Sequence, residues 1–214
     1  MKFSAVLLMA SLAALPARAE DDLINAEEGW RPHVEQVILG NWVEDTAARD
    51  ALTAPMIVCQ GTACATVSAA QLNAAQAAQI RAIFTGGSDS PAGERALLAQ
   101  AIARFETFVG AQNGTWRDHA RNTKASHDEE GQMDCVSEAT NTRTYLHRLT
   151  QAGLVAHHHV GGFVTRYLVL LQHVAVEITE AESGERYVID SWDGENGEPP
   201  VIEHYGAWRM EFLV

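Results

Sequence analysis

Positive charge is scarce in this chain: 15 Lys and Arg stand against 28 Asp and Glu, a formal charge of −13. Such a balance makes nucleic acid and anionic membrane surfaces poor partners. The acids are spread along the chain instead of gathering into a tail, so they read as a source of solubility. Long apolar runs are lacking. The main one occupies residues 5–10 and 12–15, too short to span a bilayer. Repeats, low-complexity tracts and an interdomain linker are also missing. Cysteine is rare, at three residues, an odd number for an exported protein.

The first apolar run belongs to a leader. Lys2 gives it a basic start, and Ala17-Arg18-Ala19 has the A-x-A form of a cleavage site. The competing readings are an uncleaved anchor or an ordinary buried helix. No cysteine follows the site, which argues against a lipoprotein anchor. The expectation is a periplasmic or secreted chain whose first 19 residues are removed. Cleavage takes away Lys2 and Arg18 and no acid, so the charge moves from −13 to −15. About 195 residues remain, enough for one compact domain. Within it, residues 20–90 read as a helical and hairpin region and 91–214 as a chemical core.

Periodicity and breakers give the elements. A short helix is expected around Val34 to Trp42, and a β-hairpin over Met56 to Val67. Ser68 reads as the cap of a helix from Ala69 to Phe84. The run from Gly86 to Pro91 breaks it. Leu97, Leu98, Ile102, Phe105 and Val109 then mark a helix over Ala92 to Val109, ended by Asn113-Gly114. Residues 115–132 form a polar loop. A further helix starts at Cys135, buries Ala139, Tyr145, Leu146 and Leu149, and stops at Gly153. Strands follow over Phe163 to Val169, His173 to Ile178 and Tyr187 to Asp190, with a turn at Ser183-Gly184. Trp208 to Val214 offers an edge strand. The fold class is α+β, helices packed on an antiparallel sheet.

Cys59 and Cys64 lie within the hairpin, where a small disulfide loop suits an oxidising compartment. Two reduced, buried cysteines are the alternative. Pairing them leaves Cys135 as the single free thiol. It begins a helix, whose backbone N–H dipoles are expected to lower its pKa. His173 heads one strand and Asp190 closes the next, and a short turn between them puts the two within a few residues of register. A thiol, an imidazole to take its proton and a carboxylate to orient the ring make a nucleophile. Taken singly, each residue has a blander role: small hydrophobe, satisfied histidine, turn aspartate.

Asp134-Cys135, Ala139, Tyr145-Leu146, the His173 strand and Ile189-Asp190-Ser191-Trp192 together resemble the transglutaminase-like fold of the papain-like superfamily. Within it, they resemble the bacterial transglutaminase-like cysteine proteinases over residues 92–192. The resemblance implies a periplasmic hydrolase acting on a protein or peptide, with Cys135 as nucleophile, His173 as base and acid, and Asp190 as orienting group. Known members clip adhesins from the cell surface. Some bind calcium through acids flanking the nucleophile; Asp134 fits, while Val136 stands where a second acid is expected. No other cofactor is implied.

An oxyanion would need two donors. The Cys135 backbone N–H is one, with Gln132 or the loop bearing Trp116 and Asn122 as the source of the other. Trp192 either covers the histidine–aspartate pair or packs in the core. The polar run from Ser191 to Gly197 is a substrate-facing loop or a solvated turn. His157-His158-His159 does not read as a metal site, since neighbours on a strand face opposite ways, and His119 and His127 add nothing to it. Two rivals remain beside hydrolysis: amine transfer with protein crosslinking, and a non-catalytic binding module on the same fold.

Overall fold

The computed structural model describes residues 29–41, 50–122, 129–168 and 171–211. The expected leader, Trp42, His127 and residues 212–214 lie outside them. The architecture is α+β with two antiparallel sheets. Helix α1 (Arg31–Gly40) precedes a hairpin of β1 (Met56–Gln60) and β2 (Thr66–Ala70). Helices α2 (Ala74–Ile83), α3 (Pro91–Asn113) and α4 (Cys135–Gln151) follow. Strands β3 (His158–Leu168), β4 (Leu171–Glu180), β5 (Arg186–Asp190) and β6 (Val201–His204) form the second sheet in sequential order, and helix α5 (Tyr205–Met210) closes the described chain. Among the described residues no helix is long and apolar enough to cross a membrane.

Local chemistry explains the boundaries, including two that differ from expectation. Ser68, expected at a helix cap, sits in β2 opposite Val58. The cap is Asn73, whose side chain accepts from Gln76 N while Gln76 Oε1 accepts from Asn73 N, both at 2.9 Å. That reciprocal box satisfies two otherwise unpaired donors. Helix α3 starts behind a Ser90 cap with Pro91 in its first turn and runs past Val109 to Asn113. Gly114 ends it at φ 92°, a conformation glycine adopts without strain. At Gly110 a Cβ would stand 2.8 Å from Trp116 N, because the turn Thr115–Arg117 folds back onto the helix.

Helix α4 is central to the fold. It packs on β4, β1, α1 and α3, so even its polar residues are buried: Ser137, Thr140, Thr142 and Thr144 are all at 0 % exposure. Buried hydroxyls need partners. Thr140 and Thr144 donate to the carbonyls one turn back, at 2.7 and 3.0 Å. Residues from α1 and the hairpin share one apolar core with α4 and the second sheet, so the described residues of the 20–90 region pack directly against the remainder of the fold.

The second sheet has two working faces. Val174, Val176, Ile178 and Ile189 point to the α4 core. Ala175 and Val188, on the other face, pack on Trp208. Trp208 therefore belongs to helix α5, fully buried, and the edge strand is Val201–His204 instead of the expected 208–214. His204 turns the chain by accepting from Gly206 N at 3.1 Å. The histidine run is structural: buried Glu94 accepts from His158 Nδ1 at 2.8 Å and from the backbone N–H of Ala156 and His157, pinning β3 to the start of α3.

Candidate active site

Cys59 and Cys64 form a disulfide, leaving Cys135 as the free cysteine of the chain. The disulfide loop is docked on the start of α4. Ala63 N–H donates to Asp134 Oδ2 at 2.8 Å, Cys64 N–H to Ser137 Oγ at 2.9 Å, and Ser137 Oγ–H to Gly61 O at 2.7 Å. Asn141 clasps the backbone of Cys59 on both sides, accepting from its N–H at 2.7 Å and donating to its carbonyl at 3.0 Å. Ala63 and Cys64 take φ of 51° and 60°, a region that costs residues with a Cβ about 1 kcal/mol or more. The disulfide and these hydrogen bonds hold them there. A groove of about 310 Å³ runs beside the loop, between Gly61 and Thr62 on one side and Glu129 to Gln132 on the other.

Cys135 is the first residue of α4, half-buried, and its Sγ lies 4.0 Å from Gln172 O. The Val174 backbone also bonds the sulfur. These contacts bracket His173. Strand β5 pairs with β4 only from Val176 onward, so the stretch around His173 has a free edge, and the thiol occupies it. Burial pushes the Cys135 thiol up to about 12, the Asp134 charge adds to this, and the backbone N–H groups of Val174 and Cys135 offset only part. The helix start therefore does not leave this sulfur as a thiolate at rest, contrary to the sequence expectation, because burial and the neighbouring carboxylate outweigh the dipole.

His173 and Asp190 are brought together. His173 Nε2 and Asp190 Oδ2 are 2.6 Å apart, both side chains buried, which leaves Nδ1 as the ring nitrogen available to a thiol. Trp192 lies against the ring, centroids 4.9 Å apart and planes tilted by 47°, and its indole donates to Asn122 Oδ1 at 3.3 Å. Burial alone would raise the Asp190 carboxyl; the His173 contact, the Trp208 indole N–H at 2.7 Å and the Arg166 charge reverse this and hold it below its ordinary value.

Two expected residues serve the scaffold. Gln132 is buried beneath the polar loop. Its amide N–H donates to Arg117 O at 2.5 Å, and its carbonyl accepts from His119 N at 3.3 Å and Asn122 Nδ2 at 3.2 Å. It knits the polar loop, and Asn122 is part of the same network. Asp134 is the α4 cap, with Oδ1 accepting from Ser137 N at 2.9 Å and Oδ2 from Ala63 N. Both oxygens thus serve the helix start and the disulfide loop.

The polar run after Asp190 is fastened to that loop: Arg121 N–H donates to Trp192 O at 2.9 Å, Arg121 Nε to Asp193 at 2.8 Å, and His119 Nδ1 lies 3.0 Å from Glu195. Sequence reasoning missed the acids beneath. Glu106, Asp118 and Glu138 are buried together, and burial raises all three carboxyls, Glu106 to about 8. Asp118 and Glu138 bond each other, which two carboxyls do only with a proton between them. The available signal was Glu106 beside the apolar stripe of α3 and Glu138 one turn after Cys135.

No protein-family model, curated protein or solved structure matches the chain. The functional reading rests on these residues.

Proposed function

We propose that the chain is an exported thiol enzyme of the transglutaminase-like, papain-related type, a peptidase or amidase that forms a thioester on Cys135. One observation carries the reading: a buried His173–Asp190 pair at 2.6 Å stands on the residue whose two neighbours touch the Cys135 sulfur. An imidazole fixed by a carboxylate on one nitrogen is poised to take a proton on the other. Because the resting thiol is neutral, His173 acts as general base. It removes the Sγ proton as sulfur attacks the acyl carbon, then gives that proton to the departing amine. The Cys135 N–H supports the developing oxyanion. Water then releases the acid from the thioester; an amine in its place yields a new amide.

The raised thiol pKa favours the rival, a binding module that keeps the fold without turnover. The test is a p-nitrophenyl ester burst. The enzyme reading expects one nitrophenol per chain, lost in Cys135→Ala and slowed about 100-fold or more in His173→Ala. Hydroxylamine capture then separates amine transfer from hydrolysis. A burst rate unchanged by His173→Ala refutes the base role and supports the binding module.

A further inference from the structure

We propose that Trp208, on the C-terminal helix, is a positioning residue that selects His173 as the partner of Asp190. The inference rests on the proposed thiol-enzyme reading and adds a fourth member to its site. Asp190 Oδ2 receives two donors, His173 Nε2 at 2.6 Å and Trp208 Nε1 at 2.7 Å, while Oδ1 has no hydrogen-bond partner among the described residues. A third claimant stands close: Arg166 Nη2 lies 3.9 Å from the same oxygen. Arg166 is the cross-strand partner of His173, so imidazole and guanidinium lie side by side before one carboxylate.

Charge alone favours the guanidinium, which offers a two-pronged geometry that carboxylates accept readily. Pairing of that kind would turn the carboxylate away from the imidazole. The Trp208 indole prevents the turn. It offers one N–H in a fixed direction and pulls Oδ2 to the His173 side. The surroundings give it no freedom to do otherwise. Trp208 is at 0 % exposure, its ring lies 5.8 Å from that of His173, and Arg166 stacks over it at 4.4 Å. Arg166 Nη1 is itself drawn off by Trp208 O at 2.5 Å and Glu211 Oε2 at 2.6 Å. Helix α5 thus supplies an indole that holds the acid and a carbonyl that occupies its competitor.

The experiment replaces the indole N–H and keeps the ring: Trp208→Phe, and benzothienylalanine at position 208, which has sulfur in place of N–H and nearly the same shape. The analogue serves if Trp208→Phe fails to fold. Nitrogen-15 shifts of His173 report which ring nitrogen carries the proton and how firmly, and the ester burst is followed against pH. The inference expects a mixed or shifted His173 tautomer and a burst slowed about 10-fold or more. Adding Arg166→Met, which removes the competing donor, should restore much of both. Unchanged His173 shifts in a folded 208 variant overturn the proposal. So does a slowed burst that Arg166→Met leaves untouched while the shifts stay native, since that pattern marks a merely structural role. If the wild type shows no burst, the thiol-enzyme reading fails by itself, and the nitrogen shifts still decide what Trp208 does.

Discussion

Glu106→Gln should make the protein more resistant to alkaline conditions. Glu106 is buried in α3, accepts from Gly197 N at 3.0 Å through Oε2, and is also hydrogen-bonded by the Ser191 side chain. Burial, opposed by those hydrogen bonds, raises its pKa from 4.5 to about 8. An acid raised on folding keeps its proton in the native state after the unfolded chain has lost its own, so the native state binds more protons. Stability then falls as pH climbs between 4.5 and about 8 and levels beyond. At about 1.4 kcal/mol per unit, the whole window is worth about 5 kcal/mol. Asp118 and Glu138 draw on the same protons, so the share assigned to one residue is about 2–5 kcal/mol. Glutamine is isosteric, cannot ionise and still accepts from Gly197. The assay is urea unfolding of both proteins at a series of pH values from about 5 to about 8.5. The difference in unfolding free energy should grow in favour of the variant as pH rises and then become constant. Parallel curves, or a difference growing toward acid, would refute the buried-acid argument.

Asp134→Asn should retain the Ser137 half of the α4 cap through its amide oxygen, lose the bond from Ala63 N–H because the amide nitrogen is itself a donor, and remove the charge that helps push the Cys135 thiol up. Iodoacetamide alkylation should therefore show a lower thiol midpoint than wild type, with a loss of about 1–3 kcal/mol in stability from the unpaired Ala63 donor. Cys59→Ser with Cys64→Ser should cost about 2 kcal/mol, the loop-closure value for so small a ring, measured by chemical denaturation. Hydrogen exchange at the first turn of α4 should rise in that variant, because the loop is bonded to Asp134 and Ser137. Glu94→Ala should cost about 2 kcal/mol or more, as it strands the buried His158 donor and releases the partly buried N–H groups of Ala156 and His157; thermal unfolding reads it, and a loss under about 1 kcal/mol would contradict the pinning role.

Features governed by nearby residues were legible in the sequence. Helix α4 starts at Cys135, and Gly153, at φ 70°, stops the chain after it. The two close cysteines mark the hairpin, and alternation finds β4 and β5. Cys135, His173 and Asp190 stand out because their residue types and elements agree with one chemistry. What depended on distant partners was hidden. Ser68 looks like a cap until β1 pairs with its strand. Gln132 reads as a free amide until Arg117 and Asn122 enclose it. Trp208 sits in a helix of six residues, too short to declare itself by periodicity, and its role exists only where β4, β5 and α5 meet. Acids such as Glu106 and Glu138 read as surface by composition; only the packing of three elements buries them.

The docking of the disulfide loop onto α4 has a consequence for how the protein can be divided. Asp134 and Ser137 are bonded to residues 71 and 73 positions earlier, and Asn141 to one 82 positions earlier. A fragment starting at residue 91 would carry the thiol, the imidazole, the carboxylate and the indole, and would still lack the seat on which the thiol-bearing helix rests. Chemistry and seat are encoded in separate stretches of the chain, so chain truncation, proteolytic nicking between them or a circularly permuted gene tests one shared cooperative unit, never a detachable reactive half.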